Sequence, residues 1–501
     1  MGSLAKFYLV LSICFITSCT LFAQTTLALL DSLDYNVGLN DIWGYADGSG
    51  NEYALVGLVN GVSIVDISTN PTVLNEVQFI PGVNSNWRDI KTKGNYAYVT
   101  NESSGGLQII DLSNLPGAVT VSYYTGGGLT TAHNIFIDEN GYAYLFGSNI
   151  GVGGAVILDL TNPTAPVQLG NWNGKYLHDG MVRGDTLWGA AIYAGVFEVV
   201  DVSNKTAPVT FGATHPTPNA FTHNCWISDD GNTLFTTDER NGAYIGAYDV
   251  SDLSNISETD RIKTSTNVSI PHNTHTLNDY QIVSWYNDGV VIIDGNEPEI
   301  LVEVGSYDTY PQGAGTGFAG AWGAYPYFAS GKIAVSDRQN GLHVFDVSYV
   351  RASYLNGNVT DSTTGGFLNN VAVIIQGPNE SATTNLIGDY KMGIAAAGMY
   401  SVTYSLAGYY PKTINNVSLT AGVFTNLNVQ LVPYPDCPNI IINNDVPIAA
   451  GEYQAVSVVQ SQGLVPSGKQ VKFKAKDAID LLNDFEIELG GEFEAIIDTC
   501  Q

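Results

Sequence analysis

Basic side chains are scarce in this sequence: 19 lysines and arginines stand against 48 aspartates and glutamates, a net charge of −29 over 501 residues. A surface of that sign repels phosphate backbones and anionic lipid, which excludes nucleic acid as an expected partner. Long apolar runs are also missing. Beyond the first two dozen residues nothing approaches the roughly 18–20 apolar residues of a membrane span. The usual catalytic signatures are absent as well: no HExxH, no GxSxG, no phosphate-binding loop and no glycine fingerprint opening a helix. These gaps leave no reaction legible, so whether the chain is an enzyme stays open. What is present is apolar content of 45% and 54 glycines, enough to build cores joined by tight turns.

The chain is too long for a single hydrophobic core, which stops growing near 250–300 residues, so several domains or a repeat architecture are expected. The N-terminus reads as an export leader over 1–23. Lys6 supplies the positive region, the stretch 7–16 is apolar, and Ala23 precedes Gln24 as the cleavage point. Export places the chain outside the cell, secreted or on the outer surface. Cys19, in Ile16-Thr17-Ser18-Cys19, resembles a lipoprotein box, so attachment through a lipid at Cys19 is the second route. Once the leader is gone, Cys225, Cys437 and Cys500 remain. Export permits disulfides, and Cys437 with Cys500 brackets the C-terminal segment as a staple. Cys225 reads as a small buried residue of a strand.

One phrase recurs seven times: an apolar β-branched run, then Asp, then usually an apolar residue and Ser or Thr. It is centred on Asp66, Asp111, Asp159, Asp201, Asp249, Asp294 and Asp346, at spacings of 45, 48, 42, 48, 45 and 52 residues. Such a period with short strands marks propeller blades. Each unit has a strand opening near Trp or His and a second strand such as Tyr96-Ala97-Tyr98-Val99. A third strand ends at the Asp, and a fourth follows Asn-Pro or Ala-Pro. The aspartates read as turn caps. The last repeat lacks a fourth strand, and Thr26 to Leu33 resembles one. The expectation is an all-β chain whose body, 24–350, is a seven-bladed β-propeller closed by its own N-terminal strand, because an open ring exposes a strand edge.

The stretches Asn40-Asp41-Ile42-Trp43, Asn86-Trp87-Arg88-Asp89, Thr222-His223-Asn224-Cys225-Trp226 and Gly320 to Ser348 resemble the LVIVD-repeat propellers. The resemblance narrows to the bacterial choice-of-anchor B family. It implies an exported body carried on differing surface anchors, and no established reaction. Segment 351–432 resembles the carboxypeptidase regulatory-like domain, a prealbumin-like β-sandwich with a carbohydrate-binding-like fold, through Gly357-Asn358-Val359, Gly388-Asp389-Tyr390 and Gly398-Met399-Tyr400. No peptidase motif accompanies it, so a spacer is expected. Segment 433–501, after a proline-rich linker, resembles the small stacked-strand β domain that ends many exported bacterial proteins.

Four of the seven histidines are in phase. His133, His178, His223 and His272 lie 45, 45 and 49 residues apart, each followed by Asn or Asp at the opening of a blade. Trp43, Trp87, Arg88, Asp89 and Trp322 occupy comparable places in other blades. First strands line a propeller's channel, so these residues are expected to converge on a ligand site at one mouth. The four imidazoles could alternatively hold a transition metal, which they suit chemically, or bond the neighbouring blade's backbone as structural copies. His275 is close enough in sequence to His272 to join them, while His215 and His343 read as surface or core. Asp89, Asp179, Asp238, Glu239 and Asp337 could contribute to a site near the channel mouth, with most of them reading as turn caps or solvated surface. The expected partners are an extracellular glycan, a peptide or a surface protein.

Overall fold

A computed structural model describes residues 25–313, 315–434 and 438–498. The expected leader, Cys19, and the expected Cys437–Cys500 staple lie outside the described residues. Among the described residues the fold is strand and turn throughout, apart from one 3₁₀ turn at Gly126–Gly128. No helix there is long and apolar enough to cross a membrane.

Each repeat folds as an antiparallel meander. In the first, strands Leu39–Ala46, Glu52–Leu58, Gly61–Asp66 and Asn75–Pro81 pair in chain order. The middle strands are buried on both faces, which is why YALVGL and VSIVD read as near-continuous apolar runs. The outermost strand is largely exposed and carries the polar residues. The tight turns follow side-chain chemistry. At Asp138 to Gly141, the Asp138 carboxylate accepts the amides of Asn140 and Tyr142, and Gly141 adopts φ +84°.

Six of the seven repeating aspartates cap the turn after the third strand; Asp346 instead lies within the last strand, opposite Ala28. Asp66, Asp111, Asp159, Asp201 and Asp249 each accept the backbone amide two residues on, at 2.7–3.0 Å. Asp294 caps Asn296 in the same way, and its buried carboxylate also accepts Arg351 at 2.6 Å and the Ala352 amide at 2.8 Å.

Seven sheets of this kind follow one another over 39–348 among the described residues. Their first strands neighbour one another in a closed cycle, from Leu39–Ala46 round to Ala321–Tyr325 and back. The apolar clusters lie between consecutive sheets. One joins the last sheet to the first through Leu39, Ile42, Val56, Ala334, Leu342 and Val344. Closure is made by Thr26–Leu33, which pairs antiparallel with Gly341–Ser348, from Thr26 opposite Ser348 to Leu33 opposite Leu342. Its leucines 27, 30 and 33 pack on the cores either side.

The first strand of several sheets carries a bulge near its start. Pairing skips between Leu39 and Ile42, between Thr222 and Asn224, and between Ala321 and Gly323. A bulge re-aims the unpaired side chain. Here the re-aimed residues include His223 and Trp322.

The segment after the propeller forms two further sheets. Ser353–Asp361 lies between Asp389–Ile394 and Phe424–Asn426 and also pairs with Val429–Leu431. Ala372–Ile375 lies between Glu380–Thr383 and Gly398–Ser405, which pairs with Lys412–Leu419. Inside, the Tyr390 and Tyr404 hydroxyls meet at 2.7 Å, and Tyr390 also donates to the Leu427 carbonyl. The C-terminal segment is built differently, from parallel ladders. Gly451–Ala455, Gln470–Ala475 and Glu492–Ile497 stack in register, as do Ile440–Ile442, Val458–Ser461 and Ala478–Leu481. Phe473, Val471 and Val459 fill its interior.

Candidate functional site

The strand registers arrange the channel wall in layers. Aligning each first strand on its partner puts Asn40, Arg88, His133, His178, His223, His272 and Trp322 at equivalent positions nearest one mouth. The next residues, Asp41, Asp89, Asn134, Asp179, Asn224, Asn273 and Gly323, form a second layer. Two residues further along come Trp43, Lys91, Phe136, Met181, Trp226, His275 and Tyr325. The periodicity in the chain is therefore a periodicity around one axis.

The phased imidazoles converge. Ring centroids of His133 and His178 are 3.8 Å apart, those of His178 and His223 4.6 Å, and those of His223 and His272 4.2 Å. Trp322 continues the series 4.7 Å from His272. With Asp41, Trp87, Arg88, Asp89, Asn134 and Asn273, three of these histidines and Trp322 line a cavity of about 20 Å³, the size of a single water or ion. The hydrogen bonds differ from one ring to the next. The His272 Nδ1–H donates to the Trp322 carbonyl at 2.5 Å, so the backbone of the next blade holds that ring as a structural copy would. His133 Nδ1 bonds Glu102 at 2.5 Å. Among the described residues the Nδ1 atom of His178 is buried without a hydrogen-bond partner, while the His272 backbone acts on the His223 ring. Burial, reinforced by the neighbouring imidazoles, holds His178 and His223 well below the ordinary histidine range. Burial does the same to His272 against the opposing effect of its bond to Trp322. These rings are neutral at pH 7.

Glu239 stands over them, one of the five acidic residues that could reach the mouth and not one of the turn caps or solvated groups expected for most of that set. Its carboxylate oxygens lie 3.9 Å from His223 Nε2 and 3.8 Å from His272 Nε2, and it accepts the Tyr286 hydroxyl at 2.8 Å. Burial pushes its pKa up to about 7 in spite of that hydrogen bond. A signal for it was in the chain. A hydroxyl residue two positions earlier clasps the next blade: Thr100 donates to the His133 carbonyl, Thr237 to that of His272 and Ser284 to that of Trp322. Counting two residues on from each gives Glu102, Glu239 and Tyr286, and the same count from Ser336 gives Arg338. All four belong to the mouth. Arg338 sits 4.9 Å over the Trp322 ring.

The other expected site residues divide. Trp87 is 42% exposed beside the mouth. Arg88 is buried and spends its donors on the Leu58 and Val83 carbonyls. Asp89 belongs to a buried ionic network. Lys91 Nζ lies 2.6 Å from Asp89 and 3.4 Å from Asp41, over the Trp43 ring. Burial and the Asp89 charge raise Asp41 well above the carboxylate range. Burial pushes Asp89 up, yet the Lys91 charge with the hydrogen bonds from Asp41, Lys91 and the Ile135 amide together outweigh it and hold Asp89 below the ordinary carboxylate range. Asp179 is raised to about 6 by burial and by Asp89, and accepts Asn224 at 2.8 Å. This layer stitches blades together. Cys225 is buried and free, and burial, aided by Asp179 and Asp238, raises its thiol well above the usual range.

Trp43 and His275 do not join the mouth, contrary to expectation. Both point into the third layer, three residues deeper than the phased set, because side chains alternate along a strand. His275 is caged by Trp43, Trp226 and Tyr327, with centroids 5.8, 4.4 and 6.0 Å away. His215 stacks on Phe197 and His343 on Phe345, as core or edge residues. Burial, with Lys91 adding to it, depresses His275 to about 3. The unfolded chain then takes up a proton near pH 6.5 that the folded chain refuses. This group therefore removes stability as pH falls from about 6.5 toward about 3, by roughly 2 kcal/mol at pH 5. His275→Gln is expected to shrink the difference in urea midpoint between pH 7 and pH 5. An unchanged difference would place the acid sensitivity elsewhere.

The LVIVD repeat model matches residues 49–79, 86–125 and 191–214. The carboxypeptidase regulatory-like domain model matches residues 354–432. Carboxypeptidase D of Mus musculus is 35% identical over 79 residues, which is 16% of this chain and 6% of that protein. Carboxypeptidase D of Homo sapiens is 36% identical over 77 residues, 15% of this chain and again 6% of the relative. The likeness thus spans a small part of those proteins and is confined to the sandwich. This chain carries LVIVD repeats within its propeller and, following them in sequence, a carboxypeptidase regulatory-like domain.

Proposed function

We propose that the protein is an exported binding scaffold whose propeller presents a ligand site at the histidine-lined mouth. The sandwich serves as spacer, and the stacked C-terminal ladder is a terminal module. The observation that carries this reading is Trp87. Its exposed indole borders a cleft of about 220 Å³ lined also by Val59, Asn84, Ser85, Asn86, Glu102 and Ser103. An aromatic face beside amide, hydroxyl and carboxylate groups suits a sugar ring or a peptide side chain. The cavity on the axis is too small for either, so the organic ligand lies across the rim. The excess of negative charge favours a neutral or cationic partner. The resemblance to surface-anchored propellers supports an extracellular setting.

The test is a glycan and peptide screen against the full chain, followed by titration of the best ligand. Trp87→Ala is expected to weaken binding about tenfold, corresponding to about 1.4 kcal/mol. A screen without binders, or a ligand indifferent to Trp87→Ala, would overturn the assignment.

A further inference from the structure

We infer that the channel mouth binds one divalent transition-metal ion of the zinc class, held by His178, His223 and Glu239 with His272 alongside. This rests on the reading of the mouth as a binding site and names a different occupant from the organic ligand at Trp87. One ligand atom from each of His178, His223 and Glu239 lies within 4.8 Å of the other two. The His223 and His272 Nε2 atoms are already 3.9 and 3.8 Å from the two carboxylate oxygens. Ligands at about 2.0–2.1 Å from a tetrahedral zinc are about 3.3 Å apart, so the carboxylate and the His223 and His272 rings close by about half an ångström and the widest pair by up to about 1.5 Å to complete the shell.

The hydrogen bonds around the site fit a cation better than a purely structural cluster. The Trp322 carbonyl can only accept, so His272 carries its proton on Nδ1 and turns the Nε2 lone pair toward Glu239. A lone pair facing a carboxylate under 4 Å away is repulsive until a cation or a proton sits between them. The bond from Nδ1 to a carbonyl in His272, and to a carboxylate in His133, is the support that metal-binding imidazoles usually receive from behind. The Tyr286 hydroxyl orients Glu239 in the same manner. Among the described residues His178 keeps a buried Nδ1 with no hydrogen-bond partner, a nitrogen left free to turn toward a cation. The donor set of imidazoles and one carboxylate suits zinc, nickel or copper and is a poor match for magnesium or calcium.

The experiment uses the full chain, purified without a histidine tag, stripped with chelator and titrated with zinc chloride or magnesium chloride. One zinc per chain is expected, with a higher melting temperature and no response to magnesium. Cobalt(II) should give the visible absorption of a nitrogen- and oxygen-liganded ion. His223→Ala and Glu239→Gln are expected to weaken zinc binding at least 100-fold, while His215→Ala leaves it unchanged. Glu239→Gln keeps the acceptor for Tyr286, so it serves should His223→Ala fail to fold. No zinc bound, or zinc bound equally well by Glu239→Gln, overturns the inference. The two readings separate in the same preparation. Trp87-dependent ligand binding in protein that takes up no zinc sinks the metal site alone. Zinc uptake without any Trp87-dependent ligand sinks the organic site alone.

Discussion

Lys91→Met is expected to destabilise the propeller by about 3–5 kcal/mol at neutral pH. The substitution keeps the length of the side chain and its packing on Trp43 but removes the charge that keeps Asp89 ionised. Asp89 is 5% exposed and lies in the second layer of the channel, with Asp41 and Asp179 close by. Without Lys91 its charge has neither solvent nor a cation, so folding must bury a bare carboxylate or protonate it. Protonation becomes cheaper in acid, so the loss should be smaller at pH 5 than at pH 8. The double variant Lys91→Met with Asp89→Asn removes both charges and should regain much of the loss, since breaking a buried pair costs more than replacing it whole. All seven tryptophans lie between Trp43 and Trp322, so their fluorescence during urea unfolding reports the propeller separately from the later segments. A single variant as stable as the parent would show that the ion pair contributes nothing to the fold.

Deleting residues 26–33 is expected to remove cooperative unfolding of the propeller altogether. The strand supplies seven backbone pairings to the last sheet. Its three leucines pack, partly buried, against the cores on both sides of the closing blade, each contributing part of the roughly 1.5–3 kcal/mol of a fully buried side chain. Added to the lost pairings, that is a large share of an ordinary domain's stability of about 5–15 kcal/mol. The deletion also leaves Gly341–Ser348 as a bare edge able to pair with a second molecule, so aggregation should accompany the loss. A synthetic octapeptide of Thr26 to Leu33 added during refolding should restore part of the tryptophan signal. A truncated chain that melts as sharply as the full one, within a few degrees, would mean that the ring does not depend on this closure.

Much of the architecture was legible because it rests on repetition and local chemistry. The Asp after each apolar run announces a turn whose carboxylate accepts the amide two residues on, and five of these caps have nearly identical geometry. The phased histidines were legible for the same reason: equal spacing in a closed repeat brings equivalent positions to one axis. Glu239 was legible only as one of five acidic residues that could reach the mouth, because it lies in a loop where acidic residues are usually solvated. Its burial arises from blades five and six meeting around it. Arg88 and Asp89 looked like ligand groups because they are charged and sit beside Trp87. In the fold Arg88 is spent on the Val83 carbonyl close by and the Leu58 carbonyl 30 residues away, and Asp89 on Lys91 two residues on, so neither is free for a ligand.

His275 marks the limit most clearly. Three residues separate it from His272, and proximity in sequence suggested a shared site. Strand geometry sends the two rings to different depths of the channel, one among imidazoles and a carboxylate, the other among tryptophans and a tyrosine. The sequence by itself determined the strands, the turns, the repeat and which residue types recur at the blade openings, since these depend on neighbours a few positions away. Tertiary structure alone decided which of those polar groups are spent on holding blades together and which are left facing one another at the mouth, because burial and the contacts from blade to blade join residues 45 to 50 positions apart.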